Sequence, residues 1–187
     1  MLYLALGTSD EIGASSHYLQ IHGTGLLLDT GVDPEAEGID GIPRLDLVTD
    51  NPDLWLDHAM ITHAHHDHLG ALPVVLKRFP HVFAHMTRAT EQLANVLLPA
   101  SARLQQRKLR EGTATAEPIF DEEELESYSY LYRTHELDVP FDITGSRGSE
   151  PIRATFYNAG HILGAVGILL EFEDEGSQKR FFYTGDT

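Results

Sequence analysis

Four histidines and an aspartate fall within six consecutive residues, His63-Ala64-His65-His66-Asp67-His68, and no other feature constrains this chain as tightly. The run follows an apolar stretch ending in Met60-Ile61-Thr62 and precedes a helix-like one. Alternate residues of an extended loop can point the same way, so His63 and His65 can converge on one cation. Asp67 and His68, where the chain turns into the helix, can face a second. Neutral imidazole suits Zn²⁺, Fe and Ni, and a carboxylate adds the oxygen character that Zn²⁺ and Mn²⁺ accept. A solvated histidine-rich loop is the bland alternative. Four histidines plus an aspartate at a strand-to-helix junction favour metal.

The surroundings read as layered α/β. Strands are expected at Leu2–Leu6, Tyr18–His22, Gly25–Leu28, Ala59–Thr62, Ala154–Tyr157, Val166–Phe172 and Phe181–Tyr183. Gly23-Thr24-Gly25 and Asp174-Glu175-Gly176-Ser177 each read as hairpin turns. Leu69–Phe79 predicts a helix with Pro73 in its first turn. A longer helix starts near Thr87 and runs to Arg110 with a break at Pro99, and its apolar face is Leu93, Val96, Leu97, Ala100 and Leu104. Asp121–Tyr132 is a third, and Gly145–Ser149 a turn. Hairpins, helices and strands in that order predict a mixed or antiparallel sheet rather than a doubly wound parallel one.

Composition enters by exclusion. The 187 residues suffice for a domain with a sizeable core, no apolar run approaches a membrane span, and the apolar Met1–Leu6 has no basic flank and is too short for a signal h-region, so a cytoplasmic protein is the default expectation. Cysteine is absent, which removes thiolate ligands and disulfides. The net charge of −16 opposes polyanion binding. Lys77, Lys108 and Lys179 are the lysines and the remaining basic residues are arginines, a balance that resembles surfaces from saline cytoplasms as well as ordinary acidic proteins. Arg103, Arg107 and Arg110, with Lys108, recur at helical spacing and read first as a solvated face, second as a nucleic-acid contact.

The histidine run resembles the second motif of the metallo-β-lactamase superfamily, and three others stand in order around it. Asp29 in Leu28-Asp29-Thr30-Gly31 is similar to the first, His161 in Ala159-Gly160-His161 to the third, and Asp186 in Thr184-Gly185-Asp186 to the fourth. Asp10-Glu11-Ile12-Gly13-Ala14-Ser15, Gly70-Ala71-Leu72-Pro73 and Gly160-His161-Ile162-Leu163-Gly164-Ala165 resemble the β-CASP branch, which contains RNA 3′-end-processing endonucleases, RNase J-like enzymes and DNA cross-link repair nucleases. The resemblance implies an αββα sandwich of which residues 1–187 are the N-terminal portion, with the β-CASP cap and the C-terminal part of the fold absent. It assigns His63, His65 and His161 to one zinc ion, Asp67 and His68 to the other, and Asp186 to both. Asp67 and Asp186 are the carboxylates it implicates in catalysis, and Asp29 orients the histidine loop from behind. His66 fills a variable position, while His17, His22, His58, His81, His85 and His135 are expected to be structural or exposed.

Two cations would hold a bridging hydroxide for in-line phosphodiester hydrolysis of RNA or single-stranded DNA. No protein nucleophile is needed, in keeping with the lack of a Gly-x-Ser-x-Gly elbow. The resemblance also implies that this stretch alone lacks a ligand and a sandwich half, so partial metal occupancy, inactivity and self-association are expected of it. The competing functions are a small-molecule hydrolase of the same fold (a glyoxalase II-like thioesterase or lactonase) and a non-catalytic processing-complex subunit.

Overall fold

The alternation of apolar side chains along the central strands dictates a three-layer arrangement. In the computed structural model, which describes residues 1–7 and 13–187, six strands form one sheet in the order β1 (Leu2–Ala5), β2 (His17–Ile21), β3 (Thr24–Leu28), β4 (His58–Met60), β5 (Phe83–Met86) and β6 (Tyr132–Thr134). β1 to β3 are antiparallel and β3 to β6 parallel. A second, antiparallel sheet runs β10 (Ser177–Tyr183), β9 (Val166–Asp174), β8 (Ile152–Asn158) and β7 (Phe141–Asp142). Because successive strand residues face opposite ways, Leu27, Ala59 and Ala84 pack toward the helices while Leu26, Leu28 and Met60 pack against Phe156, Ile168 and Leu170 of the second sheet. The result is a helix layer on a two-sheet sandwich, which is the expected fold class; a helix layer on the outer face of the second sheet is not found among the described residues.

The helices are α1 (Asp46–Thr49), α2 (His66–Leu69), α3 (Leu72–Arg78), α4 (Arg88–Arg110) and α5 (Glu122–Glu126), and none is long and apolar enough to cross a membrane. Both predicted hairpins form. Three helical expectations are corrected. The single helix over Leu69–Phe79 is split at Gly70-Ala71, and its first turn begins within the histidine run. α4 continues through Pro99, because one missing N–H bond does not offset the packing of the turns around it. Its buried residues are Thr90, Ala94, Leu98 and Ala102, whereas Val96, Leu97 and Leu104 are exposed. Ala100 is exposed as well and Leu93 is half-buried against the core, so the inner face follows the four-residue steps Thr90, Ala94, Leu98 and Ala102, turned from the expected one. Asp121–Tyr132 is helical only to Glu126; Tyr132 opens β6, as an aromatic β-former beside the sheet edge can.

One buried carboxylate joins the sandwich at the end away from the histidine run. Asp57 accepts hydrogen bonds from Gly25 N at 3.1 Å, Ser146 N at 2.7 Å and Ser146 Oγ at 2.8 Å, linking β3 to the turn before β8. Asp57→Ala leaves those donors unpaired, and a loss of about 3 kcal/mol in unfolding free energy is expected from urea titration.

Candidate metal centre

Each functional side chain comes from a strand end or a turn on one edge of the sandwich. Asp29 follows β3, His63 and His65 follow the parallel strand β4, and Asp67 and His68 lie in α2. His161 comes from the β8–β9 turn and Asp186 follows β10, so the second sheet supplies the other half of the group. The backbone stitches these pieces together: Val166 N donates to Thr62 O, Ser15 N to Asp67 O, Thr30 N to His68 O and Val32 N to His66 O. Close approach demands glycine at Gly31, where a Cβ would lie 1.7 Å from the Asp67 carbonyl oxygen. Asp10, Glu11 and Ile12 of the approach motif lie outside the described residues.

His63, His65, His161 and Asp186 place one ligand atom each within 4.8 Å of one another. His65 Nδ1 lies 3.0 Å from His63 Nε2 and 3.2 Å from His161 Nε2, and Asp186 Oδ2 lies 3.6 Å from His161 Nε2. Bonds of about 2.0–2.1 Å around a tetrahedral cation imply ligand-to-ligand edges of about 3.3 Å, so these spacings suit one. Asp186 turns its other oxygen, Oδ1, to His68 Nε2 at 3.3 Å, and that nitrogen is 3.7 Å from Asp67 Oδ2. All seven residues singled out in the sequence are thus within one network, arranged as two groups that share Asp186.

Proton positions can be assigned from the partners. Asp29 is fully buried and accepts from Thr62 N at 2.7 Å, from the Thr62 hydroxyl at 2.8 Å, from Tyr183 Oη at 3.0 Å and from His68 Nδ1 at 2.8 Å. Thr62 spends its single proton on this carboxylate and therefore accepts from His63 Nδ1, 3.0 Å away, which leaves His63 Nε2 a bare acceptor. His68 Nδ1 likewise donates to Asp29, so its Nε2 faces the Asp67 and Asp186 carboxylates as acceptor against acceptors. Only a proton or a cation reconciles that arrangement. Burial first, then the charge of His68, lowers the His63 pKa to about 4, keeping that imidazole neutral and ligand-ready at pH 7. Burial also pulls His68 down, but the Asp29 hydrogen bond and the Asp29, Asp186 and Asp67 charges outweigh it and raise its pKa.

Sequence reasoning missed Thr62 and Tyr183. Tyr183 also meets Ser15 Oγ at 3.0 Å, and burial followed by the Asp29 charge raises its pKa, so it stays a donor. No spacing in the sequence singles out either residue; Tyr183 acts through Asp29, and Thr62 through both Asp29 and His63. The basic stripe on α4 is partly neutralised, since Arg103 pairs with Glu122.

Three of the histidines expected to be structural adjoin one another. His85, buried, meets both His58 and His135, and burial is the chief cause lowering all three pKa values, to about 4 at His135. The unfolded chain therefore takes up protons below pH 6.5 that the folded chain refuses. The resulting stability is intact above that pH and is lost as pH falls through the window down to about 4. Urea midpoints measured from pH 7 to 4.5 should fall, and His135→Gln should make the fall shallower; equal slopes in the two proteins would refute this.

The sequence profile of the Metallo-beta-lactamase superfamily matches residues 10–187. The endoribonuclease ysh-1 of Neurospora crassa is 30% identical over 193 residues, spanning 100% of this chain and 20% of that protein. The cleavage and polyadenylation specificity factor 73 of Drosophila melanogaster is 29% identical over 182 residues, 97% of this chain and 24% of that protein. The chain thus spans about a fifth to a quarter of the length of these relatives. Among solved structures, a metallo-β-lactamase of Cronobacter sakazakii superposes with a TM-score of 0.56 at 15% identity, covering 97% of this chain and 61% of that one.

Proposed function

We propose, from the premise that this chain belongs to the metallo-β-lactamase superfamily in its β-CASP branch, that the whole protein is a metal-dependent phosphodiester hydrolase acting on RNA. The family implies divalent-metal binding, and the convergence of His63, His65, His161 and Asp186 is the observation that carries the reading. In it, His63, His65 and His161 would hold one zinc ion, Asp67 and His68 would hold a second, and Asp186 would serve both. Bound there, the ions would supply Lewis-acid charge and a hydroxide at neutral pH, since zinc lowers the pKa of water to about 7.

The chain's own residues do the remaining work. Thr62 and Asp29 keep His63 and His68 in the tautomers that offer Nε2 forward. Tyr183 donates its proton to Asp29 and so preserves the carboxylate as an acceptor for His68. Asp67 and Asp186 would offset part of the charge of two dications and accept hydrogen bonds from water held between them. RNA is favoured because the curated relatives are named endoribonucleases; single-stranded DNA is the second substrate class. Self-association of residues 1–187 is a separate expectation, tested by light scattering.

Incubating the whole protein with single-stranded RNA and DNA, with and without a chelator, tests the proposal. RNA cleavage should vanish with chelator and return with Zn²⁺. Chelator-insensitive cleavage would overturn the metal reading, and turnover confined to small thioesters or lactones would overturn the nuclease reading.

A further inference from the structure

Strand β10 brings two polar side chains to the metal centre, Tyr183 at its last residue and Asp186 three residues on. Among the described residues the Asp186 carboxylate has polar contacts with imidazoles alone, those of His63, His68 and His161, and its side chain is 44% exposed. It therefore takes its position from the backbone turn Thr184-Gly185. That turn is pressed onto the first sheet: Gly185 has φ of 57°, and a Cβ there would lie 2.8 Å from Thr62 Cγ2. Immediately before the turn, the Tyr183 hydroxyl makes the last side-chain hydrogen bonds that precede Asp186.

That hydroxyl has two partners, Asp29 Oδ2 at 3.0 Å and Ser15 Oγ at 3.0 Å. A carboxylate only accepts, so Tyr183 gives its one proton to Asp29 and accepts from Ser15. Each partner is tied to a residue of the second ion group. Asp29 accepts from His68 Nδ1 at 2.8 Å, and Ser15 donates its backbone N–H to the Asp67 carbonyl at 2.8 Å. One phenol thus meets the support of His68, the support of Asp67 and, through the turn, Asp186. The first group depends on it less. His63 is reached through Thr62, whose N–H and hydroxyl hold Asp29 without Tyr183. Among the described residues, His65 and His161 hydrogen-bond to neither Tyr183 nor Asp29.

We propose that Tyr183 is a positioning residue that couples the second ion group to the docking of β10. With its hydroxyl in place, Asp67, His68 and Asp186 are set together, and an ion held by them in turn fastens the second sheet. The proposal rests on the two-ion reading above and goes beyond it in naming what makes the two groups unequal. Because the ion and the phenol favour the same docked state, each strengthens the other. A hydroxyl that served the fold alone would stabilise it equally with and without metal, and this difference separates the two roles.

The test compares whole wild-type protein with Tyr183→Phe, which keeps the ring and its edge-on contact with His17. Zn²⁺ affinities are read in competition with a chromogenic chelator, and melting temperatures with zero, one and two equivalents of Zn²⁺. The first equivalent belongs to the group of His63, His65, His161 and Asp186, whose four donors complete a tetrahedral set. In Tyr183→Phe the second equivalent should bind about tenfold more weakly, and the first within about threefold of wild type. The rise in melting temperature from one equivalent to two should shrink by roughly 2–5 °C. Ser15→Ala leaves Tyr183 on Asp29 and should weaken the second equivalent by about threefold. Should Tyr183→Phe fail to fold, Ser15→Ala decides, and wild-type affinity for the second equivalent there overturns the proposal. A Tyr183→Phe that weakens both equivalents alike, or neither, overturns the coupling and leaves the two-ion reading standing. So does an equal loss of melting temperature at every metal level. Wild-type protein that takes up one equivalent or none refutes the two-ion reading and the coupling with it.

Discussion

His65→Ala in the whole protein is expected to lower RNA cleavage on the order of 10³-fold or more while leaving the fold intact. His65 is within 3.2 Å of both His63 Nε2 and His161 Nε2, so its Nδ1 joins the donor from the first sheet's loop to the donor from the second. Its ring is exposed and contributes little to either hydrophobic cluster, so removal should shift the thermal midpoint by no more than a few degrees. Loss of cleavage with a nearly unchanged melt, and no recovery of cleavage by added Zn²⁺, is the expected pattern. Full activity in this variant would sink the metal mechanism outright.

Asp29→Ala should be the most damaging single change to the scaffold of the site. The carboxylate is fully buried and accepts from four donors, of Thr62, Tyr183 and His68; its removal strands Thr62 N and His68 Nδ1 and forces the two hydroxyls onto other partners. Asp29 also has φ of 59°, a left-handed conformation that Asp and Asn tolerate better than alanine does. A cost of about 4 kcal/mol follows from the two effects together, or roughly 10 °C in melting temperature for a chain of this size. Asp29→Asn keeps the backbone preference and one acceptor oxygen but not the charge facing His68. It should fold, and bind Zn²⁺ about 10- to 100-fold more weakly in competition with a chromogenic chelator. Wild-type zinc affinity in Asp29→Asn would show that the His68 orientation does not depend on this carboxylate.

The sequence and the structure agree where chemistry demanded particular residue types at particular spacings. His63, His65, Asp67 and His68 lie on one short segment, so their convergence could be inferred from strand and helix geometry alone. Asp29, His161 and Asp186 are distant in sequence, and only the ordered motifs of a known family could bring them to the same edge. The support behind them was illegible for a different reason. Thr62 reaches Asp29 because β4 pairs beside β3, and Tyr183 because β10 of the other sheet packs against them; no local pattern encodes either neighbour. β5 carries no alternation to detect because it is a short parallel strand buried on both faces, and β6 is a three-residue edge strand too short to show one. The inner face of α4 is not legible because apolar residues lie all round the helix: Val96, Leu97, Ala100 and Leu104 form one stripe, and Ala94, Leu98 and Ala102, the stripe that packs, form another. The line of imidazoles at His58, His85 and His135 has the same origin: the first two share a face only once β4 and β5 are paired in register, with Met60 beside His85.

The division of the donor set between two sheets also has a consequence for biosynthesis. His63 and His65 leave the ribosome early, whereas Asp186 follows roughly 120 residues later, about 6 to 24 s at ~5–20 residues per second. During that interval the nascent chain displays an imidazole pair with no carboxylate to share and no second sheet to fix its geometry. On the metal reading proposed above, an ion captured then would meet an incomplete donor set and could exchange at least until β10 has docked.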